Sequence, residues 1–409
     1  MGSPTVRPAG PPDQPGRVVT AVDDDSIPLS HCWYPGGMPA IKDVPPAPGA
    51  RPPLPSLTSL RAWAALLVFC YHLGLGPFAW EPLQAFRFGY VGVSFFFVLS
   101  GFLLTWAARP GASVRRFYLR RLARVYPAHL AVLGVVVLLA VVEPGQRAAL
   151  SDPVQGIKQL LLVNAWTLDE GTVNVWNGVS WSLSVEAFCY LCFPLLLWAL
   201  PRMGARRQLA VVLGSLLAAL VLTAALRELD PTQGGGLAYL NPVVRLPEFV
   251  LGISLALRVR SVARPPLPLW VPLGLCVVLG TVANELALPL YPLADYLLLP
   301  GLALLIVTAA RRDLTGAGGL VLRHRVSVYL GELSFCFYLV HVLVMGTILR
   351  KAGWSQPWSD EDGAWRALAI LASGIAAAAV LHHAVERPAQ AAIARRMARA
   401  TTRELSPSR

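Results

Sequence analysis

An arginine and a histidine on one apolar segment give the strongest chemical signal in this sequence. Arg61 and His72 are eleven residues apart. This is about three helical turns, so both side chains would lie on nearly the same face, roughly 16 Å apart along the axis. A guanidinium holds phosphate bidentately, and an imidazole can act as a general base. Alternatively, Arg61 snorkels to the membrane surface and His72 is a helix-end histidine at the lipid headgroups.

The spacing also suggests a ligand. The separation of Arg61 and His72 is similar to the reach of coenzyme A from its nucleotide phosphates to its thioester. A short basic segment follows at residues 109–124. Its Arg120, Arg121 and Arg124 are candidates for binding the phosphates, and the alternative is a loop that touches anionic lipid.

Further candidates lie in other apolar segments. Glu186 follows an aromatic and polar stretch, where a carboxylate can orient an imidazole; alternatively, it pairs structurally with Arg or Ser. Arg245 and Glu248 are three residues apart on one predicted helix, so we expect them to neutralise each other. His382 and His383 are expected to be packing or boundary residues. A substrate cavity is predicted to be lined by Tyr90, Ser100, Trp181, Glu248 and His341.

Composition indicates whether the helices that position these residues lie in water or in lipid. Of 409 residues, 55% are hydrophobic and only 14% are charged, against about 25% charged in soluble domains. The net charge is +12, but the basic residues occur in short clusters between apolar runs, so nucleic-acid binding is not expected. Five of the six cysteines lie in apolar runs. The Cys189/Cys192 pair is therefore read as buried packing, and no metal is expected.

The sequence predicts an all-α membrane bundle with about ten transmembrane helices. A shorter amphipathic segment near 155–167 is expected to be re-entrant or to lie on the surface. The predicted spans are 57–75, 90–107, 124–142, 180–199, 208–226, 242–258, 268–284, 292–310, 329–349 and 366–385.

Charge asymmetry predicts the orientation of the bundle. With ten spans, 26 of the 35 Lys and Arg residues fall on the side of both termini and seven on the other. The positive-inside rule then predicts a multi-pass plasma-membrane protein with cytoplasmic termini. No cleavable signal is expected in the first 50 residues, and residues 1–53 are predicted to be a disordered cytoplasmic tail. The membrane domain is predicted over 54–390, and the cytoplasmic C-terminal tail over 391–409, with no hydrolase-like domain after the membrane domain.

Seven motifs occur in an order that resembles the acyltransferase-3 family of integral-membrane O-acyltransferases. They lie at residues 57–72, 89–102, 117–127, 181–186, 245–252, 330–341 and 386–388. The resemblance implies transfer of an acyl group from acyl-coenzyme A to a hydroxyl. The family's Arg-x10-His signature falls on Arg61 and His72, and its Arg-x-x-Arg motif falls on Arg121 and Arg124. Ser94 and Ala187 depart from the acidic residues that many members carry.

These observations lead to one hypothesis and two rivals. Acetyl or another short acyl group would pass from acyl-coenzyme A, a co-substrate and not a bound cofactor, to a sugar, glycan or natural product. A similarity to an actinobacterial subgroup suggests a macrolide acceptor. His72 would act as the general base or accept the acyl group transiently, and Glu186 would orient it. A transporter or flippase of a lipid-linked molecule is the alternative, and an inactive membrane scaffold or sensor is the third.

Overall fold

Apolar helices make up most of the chain in the computed structural model. It describes residues 51–76, 80–109, 111–143, 152–167, 169–173, 175–261, 265–286, 292–354 and 356–405, and no strand occurs among them. Most of the predicted N-terminal tail therefore lies outside the described residues. The helices are α1 (Pro55–Gly74), α2 (Val91–Ala107), α3 (Val114–Val142), α4 (Pro153–Leu160), α5 (Glu170–Val173), α6 (Trp181–Ala199), α7 (Ala205–Leu229), α8 (Gly234–Leu240), α9 (Pro242–Ser261), α10 (Trp270–Glu285), α11 (Leu293–Leu314), α12 (Leu320–Arg323), α13 (Arg325–Lys351), α14 (Asp360–Leu381) and α15 (Arg387–Leu405).

The all-α membrane bundle is confirmed, although two predicted spans differ in form. Within the described ranges, eight helical segments are long and apolar enough to cross a membrane. The pair α8 and α9, bent by 43°, adds a ninth crossing if the two helices form one broken span. Helix α10 has 16 residues, or roughly 24 Å, which is shorter than the hydrocarbon core of about 30 Å. The count of about ten therefore holds only if the bent pair and the short helix both cross.

The break between α8 and α9 has a local cause. Asn241 precedes Pro242, and proline disfavours helical geometry in the residue before it. The backbone of Asn241 is accordingly extended. Its side-chain Oδ1 accepts hydrogen bonds from the backbone N–H groups of Val243 and Val244, at 2.8 and 3.3 Å. Asn241 thus caps a new helix whose first residue is proline.

Several segments outside the predicted spans are also helical, and two of them concern earlier predictions. Helix α4 lies in the predicted amphipathic stretch and buries Gln155, Gly156 and Gln159. Helix α15 continues from α14 through a π-helical turn at His382–Glu386 and packs against α3. Residues 391–405 of the predicted C-terminal tail are therefore helical.

Two helix pairs form the centre of the bundle: α1 packs along α13, and α2 packs along α9. Glycines allow the close approach. A Cβ atom at Gly331 of α13 would overlap the carbonyl oxygen of Thr58 on α1, and one at Gly252 of α9 would overlap that of Val98 on α2. Such contacts between small residues are typical of membrane helix pairs. The start of α1 is fixed by Ser56, whose N–H and Oγ donate to the Asp313 carboxylate at 2.8 and 2.7 Å.

Candidate active site

Three half-buried arginines from two helices form one group, called here the guanidinium cluster. Arg61 of α1 interacts electrostatically with Arg124 of α3, and Arg124 with Arg121 one turn earlier on the same helix. Ser113 caps α3 by accepting a hydrogen bond from the N–H of Arg116 at 3.4 Å. The structure therefore brings Arg61, Arg121 and Arg124 together as the sequence predicts. Arg120 is half-buried on the same helix.

Glu186 belongs to the guanidinium cluster. Its Oε1 accepts hydrogen bonds from Tyr190, one turn later on α6, and from Ser100 of α2, the latter at 3.4 Å. Tyr190 also hydrogen bonds to Arg121, whose guanidinium carbon lies 5.9 Å from the centre of the tyrosine ring. Glu186 interacts electrostatically with Arg61 as well. Glu186 and Tyr190 therefore link α6 to the arginines of α1 and α3.

His72 lies on the same helix as Arg61, and its partner is a second imidazole. His72 Nδ1 is 3.1 Å from Nε2 of His341 on α13 and 2.9 Å from the carbonyl oxygen of Val68. The two rings are 5.0 Å apart, centre to centre. The prediction that Glu186 orients His72 is therefore wrong. The residue beside His72 is His341, and Glu186 bonds to Ser100 and Tyr190 instead.

The hydrogen bonds assign the tautomers of the two neutral imidazoles. His341 Nδ1 is 2.7 Å from the carbonyl oxygen of Tyr338, so Nδ1 carries the proton and Nε2 the lone pair. That lone pair accepts from the Nδ1–H of His72, which also donates to Val68. Nε2 of His72 consequently carries a lone pair. This is the atom that can remove a proton from a hydroxyl.

Aromatic rings extend from His72 into the bundle. The ring of Tyr71 lies 5.3 Å from His72 and 5.4 Å from Tyr90. Tyr90 is 6.0 Å from Tyr239, and Tyr239 is 4.8 Å from Trp181. Of the predicted cavity residues, Tyr90, Trp181 and His341 therefore belong to one wall that includes His72, while Ser100 lies with Glu186.

Glu248 lies in a separate buried group, called here the Arg245 network. Arg245 Nη1 is 2.6 Å from Glu248 Oε1 and 3.4 Å from Asp295 Oδ2, and all three side chains are fully buried. Ser94 donates to Asp295 at 2.7 Å and accepts from Arg245 at 3.3 Å. The predicted pairing of Arg245 with Glu248 is confirmed. The network also contains Asp295, which the sequence analysis missed although it is an isolated acid in an apolar run.

The comparisons with known proteins agree with this arrangement. A family model described as an acyltransferase domain matches residues 54–383, a range that contains every site residue named above. The chain belongs to the acyltransferase-3 family. This membrane acyltransferase is 35% identical over 371 residues to the acyltransferase MdmB of Streptomyces mycarofaciens, covering 85% of the chain and 94% of that protein.

Two other relatives match over shorter stretches. The acyltransferase is 30% identical to the peptidoglycan O-acetyltransferase OatA of Listeria monocytogenes over 160 residues, and 30% identical to the putative peptidoglycan O-acetyltransferase YrhL of Bacillus subtilis over 225 residues. The matches cover 36% and 50% of this chain and 24% and 33% of those proteins. No solved structure matches the acyltransferase.

Proposed function

We propose that this acyltransferase moves a short acyl group from acyl-coenzyme A to a hydroxyl of a small natural product or sugar. The observation that carries the proposal is the arrangement on α1. One helix places Arg61 in the guanidinium cluster and His72 against His341, roughly 16 Å apart along its axis. A donor with anionic phosphates at one end and a reactive thioester at the other suits that distance.

The donor end is argued from charge. The acidic neighbours of the three guanidiniums are Glu186, Glu332 and Glu386. Guanidiniums this close together repel one another, and an anion between them would relieve the repulsion. Bound phosphate groups would supply that negative charge, and guanidinium geometry suits them. The basic loops place this end on the cytoplasmic side in the predicted orientation, where coenzyme A esters are available.

The acceptor end is argued from the lone pair on His72 Nε2. The acceptor hydroxyl gives its proton to Nε2 while its oxygen attacks the thioester carbonyl. The tetrahedral intermediate then expels the coenzyme A thiolate, which takes the proton from His72. His341 stabilises the imidazolium by accepting the Nδ1–H hydrogen bond throughout. Apolar walls exclude water and so limit hydrolysis of the thioester.

The acceptor class is supported by the comparisons. Similarity extends over almost the whole of a Streptomyces acyltransferase, whereas the named peptidoglycan enzymes match over a third of their length or less. Together with the sequence resemblance, this favours a natural product such as a macrolide over a cell-wall glycan. The aromatic wall beside His72 suits a large, partly apolar acceptor that carries a hydroxyl.

The test is a reaction with detergent-purified full-length protein, labelled acetyl-coenzyme A and hydroxylated macrolides or sugars. The expected result is label on the acceptor and one free thiol released for each acyl group transferred. Mass spectrometry of extracts from cells with and without the gene would identify the natural acceptor as the species that loses one acyl increment. Absence of thioester-dependent transfer with that acceptor would contradict the proposal.

The same assay separates the enzyme from the rival transporter. Among the described helices, the bent pair α8 and α9 is the feature that a transporter would share, because discontinuous helices form transport sites. A transporter moves its substrate across vesicles without consuming thioester. Solubilised protein separates no compartments, so a transporter does not account for acylation in this assay. Only an enzyme does.

A further inference from the structure

A third polar group lies where α14 changes into α15. The chain makes a π-helical turn at His382–Glu386, and this turn packs against α3. Turns of this kind interrupt α-helices frequently at functional sites. Here the turn presents His382 and Glu386 towards Cys336 of α13. Cys336 is fully buried and Glu386 is 2% exposed.

The three side chains converge on one oxygen atom. Cys336 Sγ is 3.0 Å from Glu386 Oε2, and His382 Nδ1 is 2.7 Å from the same oxygen. The ligand atoms of the three residues lie within 4.8 Å of one another. Gln390, one turn further, donates to Glu386 Oε1 at 2.9 Å and so fixes the carboxylate.

We propose that Cys336, His382 and Glu386 bind a divalent transition metal ion, with Zn²⁺ the best match. Sulfur, imidazole nitrogen and carboxylate oxygen are the ligands zinc prefers, at about 2.0–2.3 Å. Ligand atoms around one ion then lie roughly 3.3–3.8 Å apart. The two contacts to Glu386 Oε2, at 3.0 and 2.7 Å, would therefore lengthen by less than about 1 Å, and the distance between the sulfur and the imidazole nitrogen is already within 4.8 Å. The proposal rests on these contacts and not on the acyltransferase reaction.

A candidate for a fourth ligand lies on the same helix as the cysteine. Glu332 precedes Cys336 by one turn and interacts electrostatically with His382. The site would then use two residues four apart on α13 and two residues four apart on the π-turn. Four ligands from two packed helices would close a tetrahedral structural site.

Charge balance is compatible with the neighbouring arginines. Metal binding requires the Cys336 thiol to lose its proton to solvent, while His382 stays neutral and binds through Nδ1 with its proton on Nε2. The ion, the thiolate, Glu332 and Glu386 then sum to one negative charge. The loaded site still attracts Arg61 and Arg124, which interact electrostatically with Cys336 and Glu386. The metal would act as a clamp between α13 and the turn, beside the guanidinium cluster.

The experiment uses full-length protein in detergent, freed of metal by a chelator and titrated with Zn²⁺ or Co²⁺. We expect one bound ion per chain by elemental analysis, a rise in the melting temperature with Zn²⁺, and a thiolate-to-Co²⁺ charge-transfer band in the near ultraviolet. Cys336→Ala and His382→Gln should each lose the band and at least tenfold in affinity. Elution as a single species in size-exclusion chromatography would show that both variants fold.

Matched controls lie close by. Cys192→Ala removes a partly buried thiol on α6, and His383→Gln removes the adjacent imidazole, which contacts Tyr329 at 3.0 Å. Both variants should bind the ion as the parent protein does. No band in the parent protein would overturn the proposal and leave Cys336, His382 and Glu386 as a hydrogen-bonded group. Equal loss in the control variants would overturn it too.

Discussion

The guanidinium cluster and the Arg245 network both place arginine inside the bundle, but the guanidiniums are arranged differently. In the cluster, three half-buried guanidiniums repel one another, and their acidic neighbours are Glu186, Glu332 and Glu386. The network has one fully buried guanidinium for two carboxylates and a hydroxyl. Arg245 also lies 4.0 Å from the centre of the Tyr239 ring. An arginine surrounded by acceptors is a structural element, whereas we propose that grouped, half-buried arginines bind an anionic ligand.

The largest expected effect is on catalysis at His72, which lies on the same helix, α1, as Arg61 of the guanidinium cluster. His72→Ala should lower acyl transfer by about 10²–10⁴-fold, because general-base catalysis contributes that much. The melting temperature should stay near that of the parent protein, and acyl-coenzyme A should still bind. Transfer rate and thermal unfolding, measured on the same preparation, check this. A near-normal rate would remove His72 from the proposed reaction.

The Arg245 network should respond in the opposite way, with a loss of stability. Arg245→Met leaves Glu248 and Asp295 buried without their cation, which costs about 3–5 kcal/mol in comparable buried pairs. Thermal or denaturant unfolding in detergent measures this. Ser94→Ala, which removes one neutral hydrogen-bonding group, is the matched milder change at about 1 kcal/mol. A folded Arg245→Met protein with unchanged stability would contradict the contrast between the two regions.

The third prediction separates orientation of His72 from simple packing. Gln at position 341 can place an amide oxygen near the former Nε2 and accept the hydrogen bond from His72, whereas Asn reaches only the position of Nδ1. His341→Gln should therefore keep several times more activity than His341→Asn, with similar stability. The pH profile of turnover should also shift more in the Asn variant. Equal losses in both variants would assign His341 a packing role.

Within the guanidinium cluster itself, the expected effect is on donor binding and the effect on turnover is small. Arg61→Lys keeps the charge but loses bidentate geometry, so the dissociation constant of acyl-coenzyme A should rise roughly tenfold, the equivalent of one charge-assisted hydrogen bond. Turnover at saturating donor should change less. The dissociation constant and turnover, measured with and without 3′-dephospho-coenzyme A as competitor, check this. Unchanged affinity would favour a snorkelling arginine.

Properties within one helix could be predicted from the sequence. The shared face of Arg61 and His72 and the pairing of Arg245 with Glu248 follow from helical periodicity, which is local. The family resemblance and the apolar segments likewise predicted the membrane bundle. The bend at Asn241–Pro242 was missed because α8 is short, although the Asn-Pro pair was a readable signal.

Contacts between helices could not be predicted. His341 is 269 residues from His72, and Asp295 is 201 residues from Ser94, so no spacing rule connects them. Glu186 was assigned to His72 because a carboxylate after an aromatic and polar stretch can orient an imidazole, but helix packing places it with Ser100 and Tyr190. The contact between Cys336 and Glu386 could likewise not be predicted, because it depends on the turn after α14.

The glycine contact between α1 and α13 has a consequence for evolution of the enzyme. At Gly331 the two backbones touch without an intervening side chain, and the same two helices carry His72 and His341. The distance between the two imidazoles is therefore set by backbone contact. It does not depend on the side chains that would have to change for a new substrate. Mutation can reshape the aromatic wall to admit a different molecule while the proton-transfer pair keeps its register.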